Sequence, residues 1–176
     1  MIKKILSTLL LLHLISYSQD NRGYIVEVNT KSPTFSIPLN DNELFQLDQH
    51  KGKVIMLQFT ASWCSVCMKE MPFIEKEIWE KYNENDDFIL IGLAKDTERR
   101  RQGEKEINLM INKTGITYPI IRDYNSDIFH LFAEKNAGVT RNIIIDKNGD
   151  IAFLTRLFER KEFDEMKEVI DKLLHN

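Results

Sequence analysis

Apolar positions along the chain fall into distinct patterns, and each pattern predicts an element. In "TFSI" and "LFQL" they alternate with polar residues, as in two short edge strands. From Val54 to Phe59 and from Phe88 to Ala94 they run on continuously, which predicts central strands covered on both faces. Met71, Ile74, Ile78 and Tyr82 recur at helical spacing. Further helices are expected near Glu104 to Asn112 and from the capping residue Ser126, where Ile128, Leu131 and Phe132 form the apolar face, with a strand around Tyr118 to Ile121 between them. "RNIIIDKNGDIAFLTRL" joins two apolar runs through Asn148-Gly149, the strongest short-range hairpin signal. Phe163, Met166, Val169, Ile170, Leu173 and Leu174 then share one face of a closing helix. Strand, helix, strand, helix, hairpin and helix predict the α/β class: one central mixed sheet with helices on both faces.

The first residues follow another pattern. Lys3 and Lys4 precede an apolar run from Ile5 to Ile15, and Ser16 and Ser18 stand at the −3 and −1 positions of a cut after Ser18. That layout predicts a signal peptide over residues 1–18, because the run falls short of the ~20 residues that cross a bilayer as a helix. Export to an oxidising, periplasmic compartment is expected, as a soluble protein after cleavage or held by an uncleaved N-terminal anchor. Residues 19–31 are polar and read as a flexible segment, leaving residues 32–176 as one domain.

Without Lys3 and Lys4 the chain carries 22 basic against 27 acidic residues, a net charge of −5, so no nucleic-acid partner is expected. The cluster "ERRRQGEKE" mixes both signs and reads as a solvated turn leading into a helix.

The two cysteines, Cys64 and Cys67, sit in "FTASWCSVCMKE", where a strand gives way to a helix. Three roles are open to such a pair. As a staple it would close a four-residue ring and remove only roughly 2 kcal/mol from the unfolded state. As a zinc site it supplies two ligands of four, and His50, His130 and His175 are not paired at ligand spacing. As a redox centre it fits its context: Cys64, at the open end of a helix, meets unpaired N–H groups that favour thiolate. Cys67, one turn on, can reach the first sulfur and resolve a mixed disulfide. No cofactor and no metal are required by that chemistry.

From about Ser32 to Leu174 the chain resembles the TlpA/ResA group of exported thiol-disulfide oxidoreductases, which share a thioredoxin-like fold. The likeness rests on "SPTFSI", "KGKVIMLQFTASWCSVCMKEMP", "TYPIIRD" and "IIIDKNGDIAFL". It implies catalysis by Cys64 as attacking sulfur, Cys67 as resolving sulfur and Glu70 as an aid to proton transfer. It also implies protein disulfides as substrates, allows a membrane-bound thiol carrier as electron donor, and suits a monomer working as a reductase.

The pattern departs from the family in the Ser65-Val66 dipeptide and in a missing cis-proline, whose place six residues before Asp146 is taken by Thr140. Thr140, Arg141 and Trp63 are therefore expected to form the substrate loop: Thr140 through a trans peptide, Arg141 by adding charge that favours the Cys64 thiolate, and the whole site more open than with proline. "GVTRNIIID" also raises a peroxiredoxin-like thiol peroxidase, although Thr60 stands four residues before Cys64 where that class has three. A Sco-like copper carrier, with His130 as the distant ligand, is the other alternative; its cysteines are spaced one residue wider.

Overall fold

The computed structural model describes residues 22–40 and 43–175; the expected signal peptide lies outside them. Five strands form one sheet in the order β5-β4-β3-β6-β7: β3 (Val54–Thr60), β4 (Phe88–Lys95), β5 (Ile120–Asp123), β6 (Arg141–Ile145) and β7 (Ile151–Leu154). β3, β4 and β5 run parallel, while β6 and β7 are antiparallel, so the mixed α/β sheet expected from the sequence is present. The two alternating stretches, β1 (Ser36–Asn40) and β2 (Glu43–Gln46), pair only with each other, as a separate hairpin.

Every residue of β3 is buried, because strand alternation sends its side chains into two apolar layers. Ile55, Leu57 and Phe59 meet Phe129, Phe132, Ile143 and Ile145 on one face. Val54 and Met56 meet Met71, Ile74, Ile144, Met166 and Ile170 on the other. The same alternation puts Gln58 and Thr60 on the second face, toward the helix that carries the cysteines. Between β4 and β5 the Ile120 side chain fills the space beside Gly92, where a Cβ would lie 2.1 Å from Ile120 Cδ1 and force that side chain to move.

The cysteine helix begins as α1 (Ser65–Ile74), passes through a π-helical turn at Glu75–Trp79 and ends in α2 (Glu80–Tyr82). Its apolar positions Met71, Ile74, Ile78 and Tyr82 are all buried. α3 (Glu104–Thr114), the single-turn α4 (Phe129–Phe132) and the closing α5 (Arg160–His175) complete the fold. Among the described residues no helix is long and apolar enough to cross a membrane.

The part of the N-terminal segment that is described, residues 22–31, differs from the flexible stretch expected. Tyr24 is buried and bridged to Ala133, its hydroxyl donates to Thr155 O, and Lys31 is bridged to Asp150. Polar composition suggested a loose strand, but one aromatic ring and a few backbone bonds are enough to seat it.

Candidate active site

β3 ends at Thr60, and the chain turns through Ala61 and Trp63 to start α1 with Cys64 as its capping residue. Cys64 has extended backbone angles, φ −92° and ψ 103°, and its Sγ accepts the Cys67 N–H at 3.2 Å. An N–H of the first helical turn that would otherwise lack an intrahelical partner is thereby satisfied by sulfur, an arrangement that favours negative charge on Cys64. Cys64 and Cys67 stand at disulfide distance, with Cα atoms 5.3 Å apart. Cys64 is half-buried and Cys67 fully buried, so the accessible and shielded sulfurs are the ones expected. The loop before them is anchored by Gln102, whose side-chain oxygen accepts the Ser62 N–H at 2.8 Å and whose own N–H donates to Asp96. Gln102 is buried, so the charged cluster around it is not solvated throughout. Its mixed composition gave no sign of this.

Thr140 carries no cis peptide and adopts a left-handed φ of 71°. Its N–H donates to Phe59 O at 3.2 Å and its carbonyl accepts Leu157 N–H at 2.9 Å, which fixes the loop across the end of β3. The hydroxyl oxygen lies 3.1 Å from Cys64 Sγ and 3.0 Å from Cys67 Sγ. The site is therefore not the open one expected without proline: a threonine side chain covers both sulfurs.

Arg141 is a correction to the sequence reading. It is buried, but on the opposite face of β6, where its guanidinium packs 4.4 Å from the centroid of Tyr24 and donates to Gly138 O and Arg22 O. Strand alternation is the cause: Arg141 stands opposite Phe59, and Asn142 opposite Gln58, so only the latter pair faces α1. Arg141 is therefore not part of the loop facing the disulfide, and it adds no charge beside Cys64. Trp63 is 39% exposed beside Cys64, with the Arg100 guanidinium 4.5 Å from its ring centroid.

Glu70 lies one turn beyond Cys67 and is 1% exposed. Its Oε1 accepts a hydrogen bond from Asn142 Nδ2 at 2.8 Å. Burial pushes its pKa up to about 7, against the opposing pull of the Asn142 and Gln58 amides. The Gln58 interaction does not close a hydrogen bond of good geometry, for both Gln58 Nε2 and Glu70 Oε2 are left without a partner. A carboxyl with a pKa near neutrality, at i+3 from the resolving cysteine, is suited to take a thiol proton. Asn142, which holds it, went unnoticed in the sequence; its signal was its place two residues after Thr140 on the same strand face.

Thr60 turns away from the sulfurs: its hydroxyl donates toward Met71 Sδ at 3.6 Å and Met110 Sδ at 3.8 Å. It does not supply a peroxidatic threonine. His130 packs edge-on to the Phe129 ring, and burial lowers its pKa.

The family model described as Redoxin matches residues 27–170. Among curated proteins, the chain is similar to the thioredoxin-like protein YneN of Bacillus subtilis (strain 168), 28% identical over 130 residues that cover 70% of this chain and 74% of that one. The thiol-disulfide oxidoreductase ResA of Bacillus thuringiensis (strain Al Hakam) is 25% identical over 126 residues, 72% of this chain and 68% of that one. Among solved structures, a candidate protein disulfide isomerase from Bacteroides thetaiotaomicron is 45% identical and superposes with a TM-score of 0.80, covering 88% of this chain and 94% of the other.

Proposed function

The chain belongs to the Redoxin family, within its thioredoxin-like, ResA-related thiol-disulfide oxidoreductases, and from that premise we propose that it works as a reductase of disulfides in exported proteins. The observation that carries thiol-disulfide exchange at this site is Glu70 beside the cysteine pair. In a reductive cycle the Cys64 thiolate attacks a substrate disulfide, and Cys67 must then lose its proton to attack Cys64 and release the substrate. A buried carboxyl with a pKa of about 7, one helical turn from Cys67, is a base matched to that second step. In the opposite, oxidising direction the same carboxyl would return a proton to Cys67 as it leaves Cys64, so the potential of the couple, and not Glu70, decides between the two.

The layout of residues 1–18 supports export into a periplasmic compartment, with the protein soluble after cleavage or anchored through that segment. Electrons come, in this reading, from a membrane-bound thiol carrier, and the protein acts as a monomer. Cell fractionation of the full chain tests the location, and gel filtration the oligomeric state.

The direct test is reduction of insulin disulfides by the fully reduced protein, with the potential of the Cys64–Cys67 couple measured against glutathione. A potential of about −250 mV or below is expected; one near about −120 mV would identify an oxidase instead. Cys67→Ser is expected to accumulate mixed disulfides, and Cys64→Ser to lose the reaction altogether.

A further inference from the structure

We propose that the Thr140 hydroxyl is a catalytic group, which sets the reduced pair as a Cys64 thiolate and a Cys67 thiol by hydrogen-bonding to both. This rests on the oxidoreductase reading above and adds to it a group that touches both reacting atoms. In the structure the two sulfurs are joined as a disulfide, and one oxygen stands 3.1 Å from Cys64 Sγ and 3.0 Å from Cys67 Sγ, placed to meet both when that bond is reduced. A hydroxyl has one proton to give and lone pairs to accept with, so it can serve two sulfurs only if it donates to one and accepts from the other. A reduced pair holding a single proton matches that arrangement.

The surroundings decide which sulfur keeps the proton. Cys64 is half-buried and already accepts the Cys67 N–H at the helix start, so charge belongs there. Cys67 is fully buried, which disfavours its ionised form; it keeps its proton and donates to Thr140 Oγ1. In the cycle, the Cys64 electron pair forms the bond to one substrate sulfur while the other leaves as thiolate. The Cys67 proton then passes to the Glu70 carboxylate, the Cys67 pair forms the Cys64–Cys67 bond, and the second substrate sulfur leaves.

The backbone supplies an independent argument that the side chain matters. Thr140 sits at φ 71° and its hydrogen-bonded neighbour Leu157 at φ 65°, a region that β-branched and bulky residues rarely occupy. Glycine would meet the same backbone path without steric cost. A threonine at this point is at odds with the local conformation and makes sense through its hydroxyl.

The test compares Thr140→Val, Thr140→Ala and Thr140→Ser in the otherwise unaltered protein, reading the Cys64 pKa from the pH dependence of alkylation in the reduced state. Valine and alanine are expected to raise it by about one unit, a tenfold loss of thiolate at acidic pH, and serine to retain it. If valine strains the loop enough to unfold the protein, alanine gives the same comparison. A pKa unchanged in the valine and alanine variants, or moved as far by serine as by valine, would overturn the proposal. Failure of the unaltered protein to reduce insulin would instead remove the oxidoreductase reading, and the pKa comparison would still report on Thr140.

Discussion

A carboxyl buried like that of Glu70 couples the stability of the fold to pH. Its pKa is raised from 4.5 to about 7, so the folded state holds the proton more tightly than the unfolded chain. The stability this confers is fully present below pH 4.5 and is lost as pH rises through about 7, a loss on the order of 3 kcal/mol. Glu70→Gln has no charge to bury, so its stability relative to the unaltered protein should climb between pH 4.5 and 8. Urea midpoints of both across that range are the measurement, and parallel curves would show that the carboxyl is not held neutral. The same substitution should slow release from the mixed disulfide, which separates the catalytic use of the group from its cost. Asp123, pushed up to about 6 by burial, titrates in an overlapping window but is common to both proteins and cancels in the difference.

Arg141 makes the opposite prediction. Arg141→Ala should cost about 2 to 4 kcal/mol, by opening a cavity under Tyr24 and leaving Gly138 O and Arg22 O without their donor. It should leave the Cys64 pKa where it was, because the guanidinium lies across the sheet from the sulfurs. Chemical denaturation and alkylation on one sample decide both points. Cys64 and Cys67 could be placed from the sequence because spacing at a helix start relates near neighbours, whereas Glu70 entered through the likeness to the TlpA/ResA group. Arg141 was misplaced because on a strand adjacent residues face opposite ways, and a motif read as a string of letters carries no face.

Elements were legible where one period ran long enough. The closing helix and the strands β3, β4 and β6 lie where continuous or periodic apolar positions put them, whereas β5 is displaced along the chain. Expected from Tyr118, it begins at Ile120, after Pro119, which has no N–H to give to a strand ladder; the Tyr118 hydroxyl donates to Gln58 Oε1 at 2.8 Å. The π-helical turn was also invisible; its first residue, Glu75, accepts from both the N–H and the hydroxyl of Thr117, a contact 42 residues away in the chain. Gln102 works in the same long-range way on the loop before Cys64. Gln102→Ala should leave the Ser62 N–H without its partner, cost about 1 to 2 kcal/mol, and lower insulin reduction more than the loss of folded protein accounts for. Activity corrected for the folded fraction tests this. A corrected activity equal to that of the unaltered protein would mean that the loop holds its shape without Gln102.

At the scale of the whole molecule, residues 22–31 act as a strap that closes the face of the sheet opposite the cysteine helix. On that face the Ile25 N–H donates to Phe132 O and Tyr24 lies under the Arg141 guanidinium, while Arg22 reaches across to the other layer and pairs with Glu162 of α5. The strap also supplies one of the two carbonyls that receive Arg141. Removing it would therefore do more than shorten a tail: it would expose the apolar layer around Phe129 and Phe132 and strip a buried cation of its aromatic cover. Lys95 sits on the same side, with Nζ 3.5 Å from the centroid of Phe129 and its pKa pushed down to about 8 by burial. A chain beginning at residue 32 should be less stable than one beginning at residue 22 by at least about 3 kcal/mol, the scale of losing one buried aromatic ring. Tyr24→Ala in the longer chain should account for most of that difference, and Tyr24→Phe for little more than the hydroxyl's bond to Thr155 O. Equilibrium denaturation of these chains separates the two parts. If the shorter chain matches the longer in stability, the strap is packed but not needed, and the domain begins after it.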